Sequence, residues 1–274
     1  MKIVYTDTFK HSVDVKEFTF PDGQVHAILS VDPDCHHARI TARLRNGDDI
    51  LRVLAANEAL RHAGAEKVDL VITYLLGARM DRRIAAGQPF TLKVIAEMLR
   101  GKFDKITVLD PHSDVACALL DAEAVSSLIF VGDVLRDLGW QPSDDVALCA
   151  PDAGASKRVE DCARNFGGFK VVQCLKHRDS NTGELSGFRV ANAEVLPAEV
   201  LIVDDICDGG RTFSSVAKLL KEAHGVKKVH LYVTHGIFSK GFSLEGVDKI
   251  YTTASYRPRE EYPASICVVG NVQA

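Results

Sequence analysis

The chain has 274 residues, of which 46% are apolar and 26% charged, and its formal net charge is −4. These proportions are typical of a folded water-soluble protein, and the slightly acidic balance argues against a basic surface for nucleic acid or anionic membranes. No apolar run approaches the roughly 20 residues that cross a bilayer. The seven cysteines include no Cys-x-x-Cys pair, which favours reduced thiols, no zinc site and a cytoplasmic location.

Predicted strands and helices alternate along the first half of the chain. Residues 1–5 are expected to form a first strand and not a signal peptide. Two strands at 16–20 and 25–31 flank the turn Pro21-Asp22-Gly23 and predict a hairpin. The elements that follow are a helix at 46–63, a strand at 68–74, a helix at 90–99 and a strand at 105–109. This alternation predicts a parallel sheet covered by helices.

The same alternation repeats in the second half. Its predicted strands lie at 146–149, 170–175, 200–203 and 228–234, and its predicted helices at 155–166 and 212–223. Turn-forming residues near 137–144 predict a boundary there, so we expect an α/β protein of two domains, residues 1–140 and 141–274. The irregular stretch 176–197 is long for a compact domain and predicts a flexible catalytic loop.

Residues 200–213 carry the clearest functional pattern. A buried strand leads to two adjacent carboxylates, Asp204 and Asp205, and a glycine-containing loop then opens onto a helix. Backbone N–H groups and the helix dipole can bind a phosphate there, while the acidic pair can accept hydrogen bonds from ribose hydroxyls or hold Mg²⁺. The loop residues are Asp208, Gly209, Gly210, Arg211 and Thr212. A strand-to-helix turn that uses these residues only for turn chemistry is the alternative.

A basic cluster follows the predicted strand at 68–74, at the end where open α/β sheets bind their ligands. Guanidinium groups match the geometry of phosphate oxygens, so this cluster favours a polyphosphate ligand. A solvated basic loop would have the same composition. The cluster consists of Arg79, Asp81, Arg82 and Arg83.

Two further places in the first half suit a nucleotide. His112 lies between Asp110 and Asp114 after a predicted strand, where it can bind Mg²⁺ through water or contact a phosphate. The alternative is a purely structural histidine. The hairpin tip at 20–24 carries an aromatic ring, Phe20, on which a planar base can stack, although an ordinary turn is equally compatible.

Charged residues of the second half suit phosphoryl transfer. Asp152 follows the first strand of this half and can face the same ligand as Asp205, or it can cap a helix. Lys176 and Arg178 begin the long loop, where cations can neutralise charge that develops on a transferring phosphoryl group. An ordinary basic surface pair is the alternative.

Taken together and in this order, these clusters resemble the ribose-phosphate diphosphokinases, or phosphoribosyl pyrophosphate synthetases. The resemblance covers nearly the whole chain. It implies two tandem phosphoribosyltransferase-like domains, each a mostly parallel sheet flanked by helices, in a homodimer or higher homo-oligomer. It also implies a transferase that uses ATP and Mg²⁺, moves the β,γ-diphosphate to the anomeric hydroxyl of ribose 5-phosphate, and releases AMP.

The resemblance also implies roles for individual residues. The catalytic cations would be Lys176 and Arg178. The ATP-binding residues would be Phe20, Asp22, Gln24, Arg79, Asp81, Arg82 and His112. The ribose-phosphate site would comprise Asp152, Asp204, Asp205, Asp208, Gly209, Gly210, Arg211 and Thr212. The metal contacts would be His112, Asp152 and Asp204.

Three residues depart from the family pattern. Gln24 replaces a glutamate of the adenine hairpin, and Met80 replaces a glutamine of the arginine–aspartate segment. Arg211 stands in the 5-phosphate loop where a small residue is expected. Its charge and bulk suit an acceptor with a second phosphate on the 5-position, such as ADP-ribose. Free ribose 5-phosphate is the expected acceptor and ADP-ribose the alternative.

Two other functions are compatible with parts of the chain. A phosphoribosyltransferase shares the pattern at 200–213, but it would leave the clusters at 79–83 and 110–114 without a role. A non-catalytic nucleotide-binding paralogue is supported by the departures at positions 24 and 80. The intact pair of basic residues at 176 and 178 argues against it.

Overall fold

The fold is that of a computed structural model. The structure describes residues 1–6, 12–32, 34, 36–178, 185–191 and 195–272, without the side chains of residues 5, 177, 178, 185 and 186. The chain divides into two compact units, one within residues 1–126 and the other within residues 127–271. Each unit contains its own seven-stranded sheet.

The first unit is built on a mixed sheet. Its strands are β1 (Lys2–Tyr5), β2 (Ser12–Thr19), β3 (Val25–Ser30), β4 (His37–Leu44), β5 (Lys67–Leu75), β6 (Lys105–Leu109) and β7 (Glu123–Val125). Its helices are α1 (Gly47–His62), α2 (Thr91–Leu99) and α3 (Asp114–Leu120). The strand order is β3-β2-β1-β4-β5-β6-β7. The strands β4 to β7 are parallel, and β1, β2 and β3 extend the sheet in antiparallel fashion.

Local sequence explains how this unit begins its core. The strand β4 alternates buried apolar residues with polar ones, and its buried positions are Ala38, Ile40, Ala42 and Leu44. The helix α1 starts because the Asn46 side chain accepts a hydrogen bond of 2.9 Å from the Asp49 N–H. Val53 and Leu60 on α1 are buried in the same apolar core as β4.

The second unit has a parallel sheet with one antiparallel edge. Its strands are β8 (Val146–Ala150), β9 (Lys170–Arg178), β10 (Leu185–Val190), β11 (Glu199–Cys207), β12 (Lys228–Gly236), β13 (Lys249–Thr252) and β14 (Ile266–Val268). Its helices are α4 (Leu128–Leu138), α5 (Ser156–Asn165) and α6 (Arg211–His224). The order is β10-β9-β8-β11-β12-β13-β14, and only β10 runs antiparallel to its neighbour. The predicted α/β class is confirmed.

The division between the units differs from the predicted boundary at 137–144. It falls before α4, because this helix is bonded to the second unit: Asp137 accepts hydrogen bonds from Lys249 Nζ (2.7 Å) and from the Tyr251 hydroxyl (2.8 Å). Trp140 packs edge-on against His230, with ring centroids 5.6 Å apart. The turn-forming residues that suggested a boundary mark only the loop between α4 and β8.

The stretch 176–197, predicted as an irregular loop, is partly a β-hairpin. The strand β9 continues to Arg178, and β10 pairs with it so that Phe188 lies opposite Lys176 and Val190 opposite Cys174. Phe188 and Val190 pack against the apolar core of this unit, which favours the strand over a loop. Residues 179–184 and 192–194 of the predicted loop lie outside the described residues.

In the part of the chain that the structure describes, no helix combines the length and the apolar character needed to cross a bilayer.

A buried histidine predicts how stability depends on pH. His230 on β12 is buried, both ring nitrogens lack a hydrogen-bond partner among the described residues, and Glu199 Oε2 is 3.8 Å from Nε2. Burial lowers its pKa, against the opposing effect of the Glu199 and Asp248 carboxylates. The folded state therefore favours the neutral ring. Its contribution is present above the unfolded pKa of about 6.5 and is lost as the pH falls from there through the folded pKa.

We therefore expect the urea midpoint of the wild type to fall between about pH 7.5 and about pH 5.5 more steeply than that of His230→Phe. Phenylalanine keeps an aromatic ring against Trp140 but cannot take up a proton. His62→Phe, at an exposed position on α1, is the control and should retain the wild-type slope. Identical slopes for the wild type and His230→Phe would contradict this account.

Candidate active site

The acidic pair lies inside β11, the central strand of the second sheet. The strand was predicted to end at Val203, but it runs on to Cys207, because its parallel pairing with β12 continues to Cys207 opposite Gly236. Asp204 and Asp205 therefore have the fixed backbone of a central strand. Their position near its carboxyl end is where parallel sheets bind ligands.

The two carboxylates repel each other. Asp204 Oδ1 accepts a hydrogen bond of 2.9 Å from the Asp205 N–H, and Asp205 is buried while Asp204 is half-buried. Burial and the Asp205 carboxylate raise the pKa of Asp204 well above its usual value, with a smaller effect from Asp152. The strand thus concentrates negative charge that a cation or a hydrogen-bond donor of a ligand would stabilise.

Asp152, which follows β8 beside β11, forms an ion pair with Lys176 on β9, the next strand in the sheet. Lys176 Nζ lies 2.5 Å from Asp152 Oδ2. The other oxygen, Oδ1, accepts hydrogen bonds from the N–H groups of Gly154 (2.9 Å) and Ala155 (3.3 Å), so the alternative capping role is confirmed. The role of Asp152 toward a ligand stays a prediction. The structure thus brings together two predicted site residues. The Arg178 side chain lies outside the described ones, so its role stays a prediction.

A short loop at 208–210 joins β11 to α6. Gly210 has a φ of +75°, and a Cβ there would collide with Leu244 Cδ2, so both its conformation and its surroundings require glycine. The helix begins at Arg211, before the predicted start at 212–213. Arg211 and Thr212 therefore belong to its first turn, whose N–H groups have no intrahelical partner and can bind an anion.

The turn after β12 holds this loop in place. The N–H groups of Ile237 and Phe238 donate to the Cys207 carbonyl at 2.9 and 3.1 Å. Ser239 donates twice to Asp208, from its N–H to the carbonyl (3.2 Å) and from its hydroxyl to Oδ1 (2.6 Å). Asp208, predicted to contact the ribose phosphate, thus also fixes the loop.

The thiol of Cys207, just before the loop, is buried. Burial, followed by the charges of Asp208 and Asp204, raises the pKa of Cys207 to about 12. The thiol stays protonated at neutral pH, so the arrangement does not suit covalent catalysis by cysteine.

In the first unit, Arg82 holds Asp81 after β5. Its Nε and Nη2 atoms donate to the two carboxylate oxygens at 2.8 and 3.3 Å. The Asp81 side chain is only 4% exposed whereas that of Arg82 is 73% exposed. The hydrogen bond from Arg82 lowers the pKa of Asp81, with a smaller contribution from His112. The structure therefore brings Asp81, Arg82 and His112 together, while Arg79 lies exposed nearby in the chain.

The predicted hairpin tip is confirmed and is internally bonded. Asp22 accepts hydrogen bonds from Gln24, at 3.0 Å from its N–H and 2.9 Å from its side-chain amide. Phe20 is 47% exposed and packs edge-on against Phe18. The strand β2 lies three positions from β5 in the sheet, or roughly 14 Å, so the tip and the Asp81 cluster form two separate groups.

Comparison with known proteins identifies the family. Residues 10–101 match the N-terminal domain of ribose phosphate pyrophosphokinase, and residues 131–257 match the phosphoribosyl transferase domain. A ribose-phosphate pyrophosphokinase of Thermococcus kodakarensis is 30% identical over 240 residues, which cover 86% of this chain and 81% of the relative. The chain belongs to the ribose-phosphate pyrophosphokinase family.

A further relative agrees with this assignment, and a solved structure has the same fold. A ribose-phosphate pyrophosphokinase of Pyrococcus abyssi is 28% identical, with 87% of this chain and 80% of the relative covered. A crystal structure of phosphoribosylpyrophosphate synthetase from Mycobacterium smegmatis superposes with a TM-score of 0.78 at 18% identity, covering 94% of this chain and 86% of that one. The family resemblance seen in the sequence and the expected pair of phosphoribosyltransferase-like folds are thereby confirmed.

The predicted metal contacts are divided between the two units. Among the described residues, no group of three His, Cys, Asp or Glu side chains is arranged to hold a metal. Asp152 and Asp204 belong to the second unit and His112 to the first. Mg²⁺ usually binds one or two carboxylates, waters and substrate phosphates, so the acidic strand of this family fold fits Mg²⁺ without an all-protein cage.

Sequence reasoning missed Ser239 as a residue that positions the glycine loop. The run Thr234 to Ser239 resembles the family, but its bonds reach back to residues far earlier in the chain. The available signal was the parallel pairing of β11 with β12, because parallel neighbours place their following loops at one edge of the sheet.

Gly210→Ala is expected to lower the free energy of unfolding by roughly 2–4 kcal/mol, since a left-handed φ and an overpacked methyl group each cost about 1–2 kcal/mol. Gly209→Ala is the matched control: its φ is not positive, and its new Cβ would meet only Lys240 Cγ, at an ordinary 3.5 Å. Urea denaturation of both variants measures the difference. Equal stability of the two would show that Gly210 is not constrained as described.

Proposed function

We propose that the protein is an ATP-dependent diphosphokinase that transfers the β,γ-diphosphate of ATP to the anomeric hydroxyl of a ribose 5-phosphate group and releases AMP. One observation carries this proposal: in a chain of the pyrophosphokinase family, the Lys176–Asp152 ion pair lies beside a strand that holds two adjacent carboxylates. That strand leads into an anion-binding loop, so an acceptor phosphate, ribose hydroxyls and a catalytic cation all have partners at one edge of one sheet.

The second unit would bind the acceptor. The N–H groups of residues 208–212 would hold its 5-phosphate, and Asp204 and Asp205 would accept hydrogen bonds from its ribose hydroxyls. The acceptor's anomeric oxygen would then attack the β-phosphorus of ATP in line. A new O–P bond forms, the bond from the β-phosphorus to the bridging oxygen breaks, and AMP leaves with that oxygen. The hydroxyl proton would go to solvent, since we assign none of the described side chains as a general base.

Lys176 would neutralise the charge that develops during transfer, together with Arg178. Its ion pair with Asp152 holds the ammonium group at the carboxyl edge of the sheet, and substrate phosphates compete for it when they bind. Asp204 and Asp152 would hold Mg²⁺, with His112 as a contact on the ATP side. When bound, this ion neutralises phosphate charge.

The first unit would bind ATP. Arg79 and Arg82 offer exposed guanidinium groups to its phosphates, and the buried Asp81 orients Arg82. The exposed ring of Phe20 would stack on adenine, with Asp22 and Gln24 beside it. The resemblance to the family implies that this hairpin comes from a neighbouring subunit, so we propose that a second copy in a homodimer or higher homo-oligomer supplies it.

The test is AMP release from ATP and Mg²⁺ with ribose 5-phosphate and, separately, with ADP-ribose. We expect AMP only when an acceptor is present, and none after chelation of Mg²⁺. Release of diphosphate that depends on a nucleobase would identify a phosphoribosyltransferase instead. ATP binding without AMP production would identify a non-catalytic paralogue. Inactivity with both acceptors would overturn the proposal.

ADP-ribose is a second candidate acceptor because of one observation in the loop. Arg211 is exposed in the first turn of α6 and makes no ion pair or hydrogen bond within the described part of the chain. Its guanidinium group is therefore available to a ligand. A phosphate beyond the 5-phosphate would provide the matching charge.

Lys176→Ala is expected to lower kcat by about 10²–10³-fold while the Kd for ATP changes only a few-fold, because a cation that acts on developing charge contributes mainly in the transition state. Lys170→Ala is the matched control on the same strand, since its ammonium group pairs with Asp144 at 2.6 Å, at the start of β9. Steady-state kinetics and ATP titration separate the two effects. Equal losses of binding and turnover would contradict the assigned role.

A further inference from the structure

A lysine that no motif predicted lies against the glycine loop. Lys240 Cγ is 3.5 Å from the position that a Cβ on Gly209 would occupy, so the lysine stem packs over the Gly209 backbone. The preceding residue, Ser239, donates two hydrogen bonds to Asp208. These bonds fix the start of the Lys240 side chain relative to the loop.

Two cations from different elements therefore adjoin the same short loop. Arg211 follows the loop as the first residue of α6, and Lys240 approaches it from the turn after β12. Both are exposed, and neither makes an ion pair or hydrogen bond in the ranges that the structure describes. Like charges near one site repel each other, and an anion bound between them would remove that repulsion.

The positively charged side chains beside the loop come in addition to the backbone groups that can bind a monophosphate. The N–H groups at 208–212 and the helix dipole already offer donors and partial positive charge to one phosphate. Arg211 and Lys240 add two full charges that are free to act on a group beyond the first phosphorus. A diphosphate ester on the ribose 5-oxygen carries a second phosphate beyond the first phosphorus, whereas ribose 5-phosphate carries only one.

We propose that Lys240 and Arg211 form a second-phosphate subsite, which makes the protein prefer acceptors whose ribose 5-oxygen carries a diphosphate ester. This inference rests on the proposed function, since it assigns the acceptor class of that same site. ADP-ribose is the probe for this chemistry. A free inorganic phosphate beside ribose 5-phosphate is the other source of a second phosphate, and it is tested separately.

The first experiment measures kcat/KM for ADP-ribose and for ribose 5-phosphate, and takes their ratio. In Lys240→Ala and in Arg211→Gly we expect this ratio to fall by about tenfold each. A loss of about tenfold is the usual effect of removing one charge-assisted hydrogen bond. The double variant should lower it further, and Lys240→Arg should retain it. Lys218→Ala, an exposed lysine of α6 that pairs with Glu222 at 3.9 Å, should leave the ratio at the wild-type value.

A change of less than twofold in the ratio for both single variants would overturn the subsite. So would a wild type that uses ribose 5-phosphate better than ADP-ribose. If ribose 5-phosphate activity rises with added inorganic phosphate, and this rise disappears in Lys240→Ala, then free phosphate is the occupant and the diphosphate preference is wrong.

A binding experiment separates failure of the subsite from failure of the proposed function. Calorimetric titration of the full chain with ADP-ribose and with ribose 5-phosphate requires no turnover. We expect tighter binding of ADP-ribose by the wild type and about a tenfold loss of that affinity in Lys240→Ala. If AMP is never released but this difference persists, the function proposal fails and the subsite stands. Equal affinities in the wild type and in Lys240→Ala would overturn the subsite.

Discussion

The repulsion between two neighbouring carboxylates on a central strand is the constraint on which the second unit depends. Asp204 and Asp205 are held close together, because β11 stays paired with β12 through this stretch, although its pairing with β8 ends at Ile202. The charges that act most strongly on Asp204 are those of Asp205 and Asp152. Such a concentration of negative charge lowers the stability of the fold. It is typical of binding sites, where a bound ligand supplies the cation or hydrogen-bond donor that stabilises the carboxylates. The strands β8, β9 and β12 and the loops that follow them surround β11. Together they form a frame that holds these carboxylates near the carboxyl end of the sheet.

The frame is assembled from segments far apart in the chain. Parallel pairing of β11 with β12 brings the loop after one strand next to the turn after the other, and the bonds from Ile237, Phe238 and Ser239 then lock the two together. The parallel pairing of β8 with β9 has the same effect. It places Asp152 and Lys176, near the carboxyl ends of these strands, close enough to form an ion pair. The proposed ligand-binding groups thus come from four neighbouring strands, and each is positioned by pairing rather than by local sequence.

This explains which parts could be predicted from the sequence. Buried strands such as β5 and β6 follow from local apolar runs, and the helix α1 follows from its capping residue. The predicted bounds of these elements differ from the observed ones by at most one residue. The strand β4 gives no such run, because arginines alternate with its buried alanines, and no strand was predicted there. The positions of Ser239 and Lys240 depend on contacts across about thirty residues, which no local pattern contains. The acidic pair and glycine loop were recognisable because one ligand needs all their parts within a single short segment.

The hairpin of β9 and β10 has a consequence for the energetics of turnover. The backbone at Lys176 faces Phe188 across this antiparallel pair, so the chain there is ordered as the protein folds. Ordering a residue costs about 1–2 kcal/mol of conformational entropy, and a cation on an unpaired loop would lose that freedom again in every catalytic cycle. Here the loss occurs once, during folding. In the proposed mechanism the remaining adjustment would be the exchange of one carboxylate partner for a phosphate, a step governed by enthalpy and hydration more than by chain entropy.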